Sequence, residues 1–308
     1  MADSEGCVDR GWSAVKEKKK VSVIIMTLNA EIYIQNIIDM LRKQTIKPDE
    51  IIVADSESED RTVDIAKENG TKLISIRRRE FDHGGSRDLA LRESIGDYIL
   101  FLTQDAEIGS ETYIQSILKP FEDEKVAMVC GRQIAKKNAT SYERLIREFN
   151  YPNKRMIKTK DDIEKMGIKA YYMSDVCSAY RRDIYFEIGG FEHPIMTNED
   201  MLIAANALKN GYKIAYEPSA YVYHSHNFTL KQEFNRNALV GAFLQQNKTK
   251  LCCCNATSEG MTLVKYVSKR LLNEKEYVNF CRFGFICIAK YLGNLYGRKC
   301  VKKYSYSK

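Results

Sequence analysis

The stretch Val21-Ser-Val-Ile-Ile-Met26 is an apolar, largely β-branched run that ends in Thr27-Leu28-Asn29. After it, Ile34, Ile37, Ile38 and Leu41 recur at helical spacing. This switch from a buried-strand pattern to an amphipathic helix and back is the feature that most constrains the fold. It repeats. Ile51 to Ala54 predicts a second strand, Arg61 to Asn69 a helix closed by Gly70, Leu73 to Ile76 a strand, Ser86 to Ser94 a helix, and Tyr98 to Leu102 a strand. Asn29 is expected to cap the first helix, and Pro48 follows its end. Strands alternating with helices imply a mostly parallel sheet flanked by helices, an α/β fold in which ligands bind beyond the carboxyl ends of the strands. Asn29, Asp55 and Asp105 all lie there.

Beyond Gly131 the pattern loosens. A helix is expected over Ser141 to Phe149, an irregular stretch over Tyr151 to Met173, a strand over Val176 to Tyr180, and a short helix over Asp183 to Ile188, ended by Gly189-Gly190. A helix over Met201 to Lys209 follows Asn198-Glu199-Asp200, Lys213 to Tyr216 predicts a strand before Pro218, and the chain reads as helical from Leu230 onward. At 308 residues, 44% hydrophobic and 29% charged, the chain suits one α/β domain with a tail. No apolar run precedes the first strand, so a signal peptide is not expected. Cys252, Cys253 and Cys254 are consecutive and none of the nine cysteines has metal-finger spacing, which favours a reducing cytoplasm. The Asn-x-Thr triplets at Asn138 and Asn255 are read as chance. The net charge of +7 suits an anionic partner of some kind, but no nucleic-acid module is recognisable and no nucleic acid is expected.

Several residues carry chemistry, each beside a plainer role. In Asp55-Ser-Glu-Ser-Glu-Asp60, Asp60 suits a helix cap, whereas Asp55 at a strand end suits hydrogen bonding to a base or ribose. Arg77-Arg-Arg79 and His83-Gly-Gly-Ser-Arg87 read as a basic, glycine-containing loop leading into a helix, either a solvated turn or a diphosphate cradle. Asp105 is a single carboxylate after an apolar strand, and hard cations often use only one or two carboxylates plus substrate phosphates. Glu199 and Asp200 suit a helix start in any case. His224-Ser-His226 offers two imidazoles on one side of a strand. Neither G-x-G-x-x-G nor a P-loop is present.

Taken together these segments resemble the inverting family of GT-A glycosyltransferases (family two), in its bacterial rhamnosyltransferase-like branch, over about Val21 to Gly241. The opening strand at 21 to 29, Ile51 to Thr62, Phe81 to Asp88, Leu102 to Ala106, Gly189-Gly-Phe191 and Asn198-Glu-Asp200 carry the resemblance. It implies a nucleotide diphosphate-sugar donor held by Thr27, Asn29, Asp55, Arg87 and Gln104, and Mg2+ or Mn2+ on Asp105. Thr103 stands where the family's first metal-motif aspartate would be, and His224, or else His226, is the candidate second ligand. Asp200 is implied as general base with Glu199 beside it. The implied organisation is a basic extension (1–20), a catalytic domain (21–241) with a donor half to 131 and an acceptor half from 132, and a helical tail (242–308). The implied reaction is transfer of rhamnose from dTDP-rhamnose to a lipid-linked glycan hydroxyl during cell-surface polysaccharide assembly. Another hexose from a UDP-sugar, and a non-catalytic nucleotide-sugar scaffold, stay open. A pyrophosphorylase would need a glycine-rich, lysine-containing N-terminal loop, which is not found.

In the tail, Tyr277 to Tyr296 is rich in aromatic and aliphatic residues, but Arg282 and Lys290 oppose a spanning helix. With Arg298, Lys299, Lys302 and Lys303 after it, the segment suits a peripheral contact with the inner face of the plasma membrane, or a helix packed on the domain.

Overall fold

The computed structural model describes residues 18–251 and 256–304. Residues 1–17 of the basic extension, the Cys252, Cys253 and Cys254 triplet and Asn255 lie outside the described residues. Within them the strands are β1 (Val21–Thr27), β2 (Glu50–Asp55), β3 (Lys72–Ser75), β4 (Tyr98–Thr103), β5 (Glu107–Ile108), β6 (Val126–Ile134), β7 (Met156–Lys158), β8 (Cys177–Arg181) and β9 (Lys213–Tyr223). They form one sheet in the order β3-β2-β1-β4-β8-β6-β9-β5, with β7 paired to β9. The helices are α1 (Glu31–Arg42), α2 (Thr62–Glu68), α3 (His83–Arg92), α4 (Tyr113–Leu118), α5 (Ser141–Asn150), α6 (Asp162–Met166), α7 (Arg182–Glu187), α8 (Glu199–Lys209), α9 (Leu230–Gln246), α10 (Ala256–Asn273) and α11 (Tyr277–Lys299).

The first four strands in the order are parallel, as the alternation predicts. Both faces are covered, which is why β1 reads as an apolar run interrupted only by Ser22 before Thr27. Val23 and Ile25 pack with Ile34, Ile37, Ile38 and Leu41 of α1, while Ile24 packs with Ile52 and Phe101 on the other face. β8 departs from the pattern by running antiparallel to β4 and β6. Its beginning therefore lies at the same sheet edge as the end of β4, where the Thr103 N–H donates to the Val176 carbonyl. β9 continues well past Tyr216 and runs through Pro218. The register against β6 jumps there, from Gly131 opposite Glu217 to Arg132 opposite Tyr221. A bulge is where a residue lacking an N–H does least harm to a ladder.

Two helix starts also differ from expectation. Asn29 does not cap α1; it takes a left-handed conformation (φ 53°), which asparagine tolerates, and its Oδ1 accepts from the Glu59 N–H. Asp60 caps instead, and does so twice, accepting from Thr62 N–H of α2 and Glu31 N–H of α1, while Glu31 accepts from the Arg61 N–H. His83-Gly84-Gly85 forms the first turn of α3 rather than a loop before it. Asp82 is the cap, and its Oδ1 accepts from the N–H groups of Gly84 and Gly85, so those donors are not free to cradle a diphosphate.

The tail packs through backbone. A Cβ at Gly293 or Gly297 would lie 2.3 or 1.9 Å from the carbonyl oxygens of Phe234 or Ala238, and one at Gly241 would lie 2.2 Å from that of Asn294. Only glycine permits so close an approach of α11 to α9. The division expected at 241 falls inside α9, which continues unbroken to Gln246.

Candidate active site

The ends of β1, β2 and β4 meet at one edge of the sheet and surround a cavity of about 490 Å³. Its wall includes Thr27, Gln104, Asp105 and Arg87, together with His83, Thr103 and His226. Asn29 and Asp55 are not brought to this wall. Asp55 is buried and turned into its own loop, accepting from Thr27 Oγ1 at 2.9 Å, from Ser58 N–H at 2.9 Å and from the Ser58 hydroxyl. Its bonds shape the turn beside the cavity. Gln104 ties the ends of β4 and β1 together, since its Nε2 donates to the Leu28 carbonyl and its Oε1 accepts from the Leu28 N–H. The Thr103 hydroxyl, in the place of a missing carboxylate, has no hydrogen-bond partner.

On one part of the wall Asp105 meets both imidazoles. His224 Nε2 lies 3.5 Å from Asp105 Oδ1 and His226 Nε2 lies 3.6 Å from Asp105 Oδ2, and one ligand atom from each residue falls within 4.8 Å of the others. The histidines follow the end of β9 rather than sitting within it. His224 Nδ1 is 3.0 Å from Gln133 Oε1. That oxygen also accepts from Arg147, and Gln133 Nε2 donates to Ser174, so the amide orientation is fixed and His224 must donate from Nδ1. Its Nε2 then faces a carboxylate either with a second proton or with a lone pair, and a cation between them satisfies the second arrangement. Burial alone would raise the Asp105 pKa; the hydrogen bond and charge of His224, with His226 and Lys136, outweigh it and hold the carboxyl at about 2. Burial, then the neighbouring His224, lowers His226 to about 4, so it is neutral at ordinary pH. A deprotonated carboxylate and imidazoles converging on one point fit a divalent cation.

On another part of the wall, Arg87 is buried in α3 and faces acids. Its Nη1 is 3.0 Å from Glu199 Oε1 and its Nε is 3.4 Å from Asp175 Oδ2. Asp175 is buried just before β8, where Ser178 Oγ and Tyr180 OH donate to its Oδ1 at 2.7 and 2.6 Å. Its N–H donates to Asp200 Oδ2 at 3.4 Å. Asp200 is half-buried in the first turn of α8, behind Arg87 and not in the cavity wall. Burial, then the charges of Glu199 and Asp175, pushes its pKa well above the carboxylate range. His83 beside Arg87 is lowered to about 4 by burial and by that guanidinium. Sequence reasoning missed Asp175 and Gln133, which connect the parts.

A sheet-edge cavity bordered by residues that could hold a cation and by a buried acid cluster, on this sheet, is the arrangement of a GT-A glycosyltransferase. The chain belongs to glycosyl transferase family 2, whose sequence model matches residues 22–189. It is 43% identical over 227 residues to the O-antigen chain rhamnosyltransferase RfbN of Salmonella typhimurium, covering 73% of this chain and 72% of that protein. It is 44% identical over 204 residues to the O-antigen chain rhamnosyltransferase WbaN of Salmonella anatum, covering 66% of this chain and 64%, just under two thirds, of that relative. Among solved structures it is similar to the mannosyltransferase PcManGT of Pyrobaculum calidifontis in complex with GDP-Man and Mn2+ (TM-score 0.61, 15% identity, 91% of this chain and 88% of that one). It is also similar to glucosyl-3-phosphoglycerate synthase of Mycobacterium tuberculosis (TM-score 0.53, 16% identity, 77% and 82%).

Proposed function

We propose that this glycosyltransferase moves L-rhamnose from dTDP-rhamnose to a hydroxyl of a lipid-linked glycan, with inversion, in cell-surface polysaccharide synthesis. The observation that carries the reaction type is that one cavity is lined both by Asp105 and His226 of the cation site and by Arg87 of the acid cluster. The choice of rhamnose rests on the activities named for the two Salmonella relatives. Thr27, Gln104 and Arg87 face the donor, while Asn29 and Asp55 act on it indirectly by fixing the turn. Asp105, His224 and His226 would hold Mg2+ or Mn2+, and the bound cation would neutralise charge on the departing nucleotide diphosphate. Asp200 takes the proton of the acceptor hydroxyl as its oxygen attacks the anomeric carbon from the face opposite the leaving group. The raised pKa makes Asp200 a stronger base than an exposed aspartate. Glu199 holds Arg87 in place.

The tail supports peripheral attachment to the inner face of the plasma membrane. Val278, Phe285, Ile288, Tyr291 and Leu292 are exposed along α11. Residues 256–304 hold ten basic and three acidic residues, so this segment alone accounts for a charge equal to the chain's net +7. Apolar side chains beside excess positive charge suit an anionic lipid surface. No described helix is long and apolar enough to cross a membrane. The function is tested with a panel of nucleotide-sugars, measuring nucleotide diphosphate release with and without a lipid-linked glycan acceptor and a divalent cation. Release from dTDP-rhamnose is expected; release only from a UDP-hexose would replace the sugar, and binding without release would make the protein a scaffold.

A further inference from the structure

Phe81 and His83 border the sheet-edge cavity without a part in the proton transfer or the cation site. We propose that these two side chains select the transferred sugar: His83 donates from Nε2 to a hydroxyl of the donor's sugar ring, and Phe81 takes the methyl group that a 6-deoxyhexose carries in place of a hydroxymethyl. The assignment rests on the rhamnose reading above and adds which residues recognise that sugar.

The neighbours of His83 set its tautomer. Its Nδ1 lies 3.4 Å from Arg87 Nη1 and 3.9 Å from Glu199 Oε1. A guanidinium only donates, and the carboxylate is beyond hydrogen-bond reach, so Nδ1 keeps a lone pair and the proton of the neutral ring is on Nε2. Burial, then the charge of Arg87, keeps the ring neutral. Among the described residues Nε2 has no hydrogen-bond partner, although the ring is partly open to the cavity. The backbone behind it is fixed: His83 N–H donates to the Ile195 carbonyl at 3.3 Å, and a Cβ on Gly84 would lie 2.2 Å from the Glu192 carbonyl oxygen. An unused donor is thereby held at a set place on the wall.

Its place points to the sugar and not to the diphosphate. Asp105 and His226 border another part of the cavity, and in the proposed function their cation draws the diphosphate there. The sugar is left for the wall beside the acid cluster, because the base must stand across the anomeric carbon from the leaving group. His83 belongs to that wall, one helical turn from Arg87 and close to Glu199, whose charge repels a phosphate but not a hydroxyl. Phe81 meets the His83 ring edge-on, with centroids 5.2 Å apart and planes at 71°. It packs on the same core as Met26, which also borders the cavity, so an apolar surface adjoins the donor. A methyl group suits that surface, whereas a hydroxymethyl would leave its hydroxyl without a partner; an apolar pocket rejects an added hydroxyl by about a hundredfold.

The test uses the full chain with Mn2+ and titration calorimetry of dTDP, dTDP-L-rhamnose and dTDP-L-mannose, the last two differing only in one hydroxyl. Wild type should bind the rhamnose donor about a hundredfold more tightly than the mannose one. Phe81→Asn offers the extra hydroxyl a partner and should narrow that ratio tenfold or more; should it fail to fold, Phe81→Tyr is read in its place. His83→Phe keeps a ring without an N–H, and should weaken dTDP-L-rhamnose tenfold or more while leaving dTDP within twofold. His83→Gln should restore part of that loss. A ratio that the Phe81 variants leave unchanged, or equal weakening of dTDP and dTDP-L-rhamnose in His83→Phe, overturns the assignment. Failure of the rhamnose reading would show separately, as wild-type nucleotide diphosphate release from a UDP-hexose and none from dTDP-L-rhamnose.

Discussion

Asp200→Asn separates the chemical role of the α8 acids from their structural one. Asparagine keeps the shape but cannot take a proton, and loss of a general base typically slows a reaction by about 10² to 10⁴. At about 1.4 kcal/mol per decade this is roughly 3–5 kcal/mol of transition-state stabilisation. Stability should move the other way. Three acids, Asp175, Glu199 and Asp200, surround the single guanidinium of Arg87. Burial and the two neighbouring carboxylates raise the pKa of Asp200, so its ionised form is disfavoured by folding. An acid raised in the folded state contributes stability below its unfolded pKa and loses it as pH rises through the folded value. At neutral pH the asparagine removes that penalty. Against this, its amide offers one oxygen where the carboxylate accepts from Met201 N–H and Asp175 N–H, a loss of about 1 kcal/mol. The melting temperature should therefore be no lower than wild type. Glu199→Gln should behave differently. It removes the charge partner of Arg87 Nη1, and breaking a buried pair costs about 3–5 kcal/mol, reduced here because Asp175 also faces Arg87. Thermal melts, nucleotide affinity and transfer rates on both variants decide. Near wild-type transfer by Asp200→Asn, with loss in Glu199→Gln, would reverse the assignment; if neither changes the rate, the pair only begins a helix.

Asp105→Ala should nearly abolish transfer and the thermal stabilisation given by added Mn2+, and full turnover in excess chelator would remove the cation from the reaction. His224→Ala should weaken that stabilisation more than tenfold in Mn2+ concentration; an unchanged response would make His224 a purely structural partner of Gln133. Burial lowers Lys158 from 10.5 to about 8, so its charged form is disfavoured in the folded state and stability should rise between those values as pH increases. The rise is at most about 3 kcal/mol, and denaturant titrations of Lys158→Met should lack it; identical slopes would refute the burial argument. Full-length protein should float with anionic vesicles at low salt and not with neutral ones, and Phe285→Glu with Ile288→Glu should abolish flotation. Flotation that ignores salt and both substitutions would remove the membrane contact.

The parallel half of the sheet was legible because each strand and helix there declares itself locally, as in Ile24 between Val23 and Ile25 or the Ile34 to Leu41 stripe. The grouping of Asp105 with His224 and His226 was legible for the same reason, an acid after an apolar strand and two nearby histidines. Asp175 has the same kind of signal, an acid next to the apolar run from Val176, but on the opening side of its strand. Only the antiparallel direction of β8 brings it to the mouth of the sheet, and direction is set by tertiary pairing. The donor contacts implied for Asp55 and Asn29 have no such local signature, since the partners of these side chains, Ser58 and Glu59, are local polar groups that compete with any ligand for the same lone pairs.

The glycine contacts between α9 and α11 bear on what the proposed membrane contact would do. Where two helices meet backbone to backbone, neither can slide or roll without collision, so α11 is a bracket rather than a tether. α9 begins only a few residues after His226, and the apolar face of α11 is thereby set at a fixed height and tilt with respect to the cation site. Such an enzyme would reach hydroxyls at one depth above the lipid and pass over those nearer or farther. Gly297→Leu would loosen the bracket, and the expected result is transfer to hydroxyls at mixed positions in place of a single one.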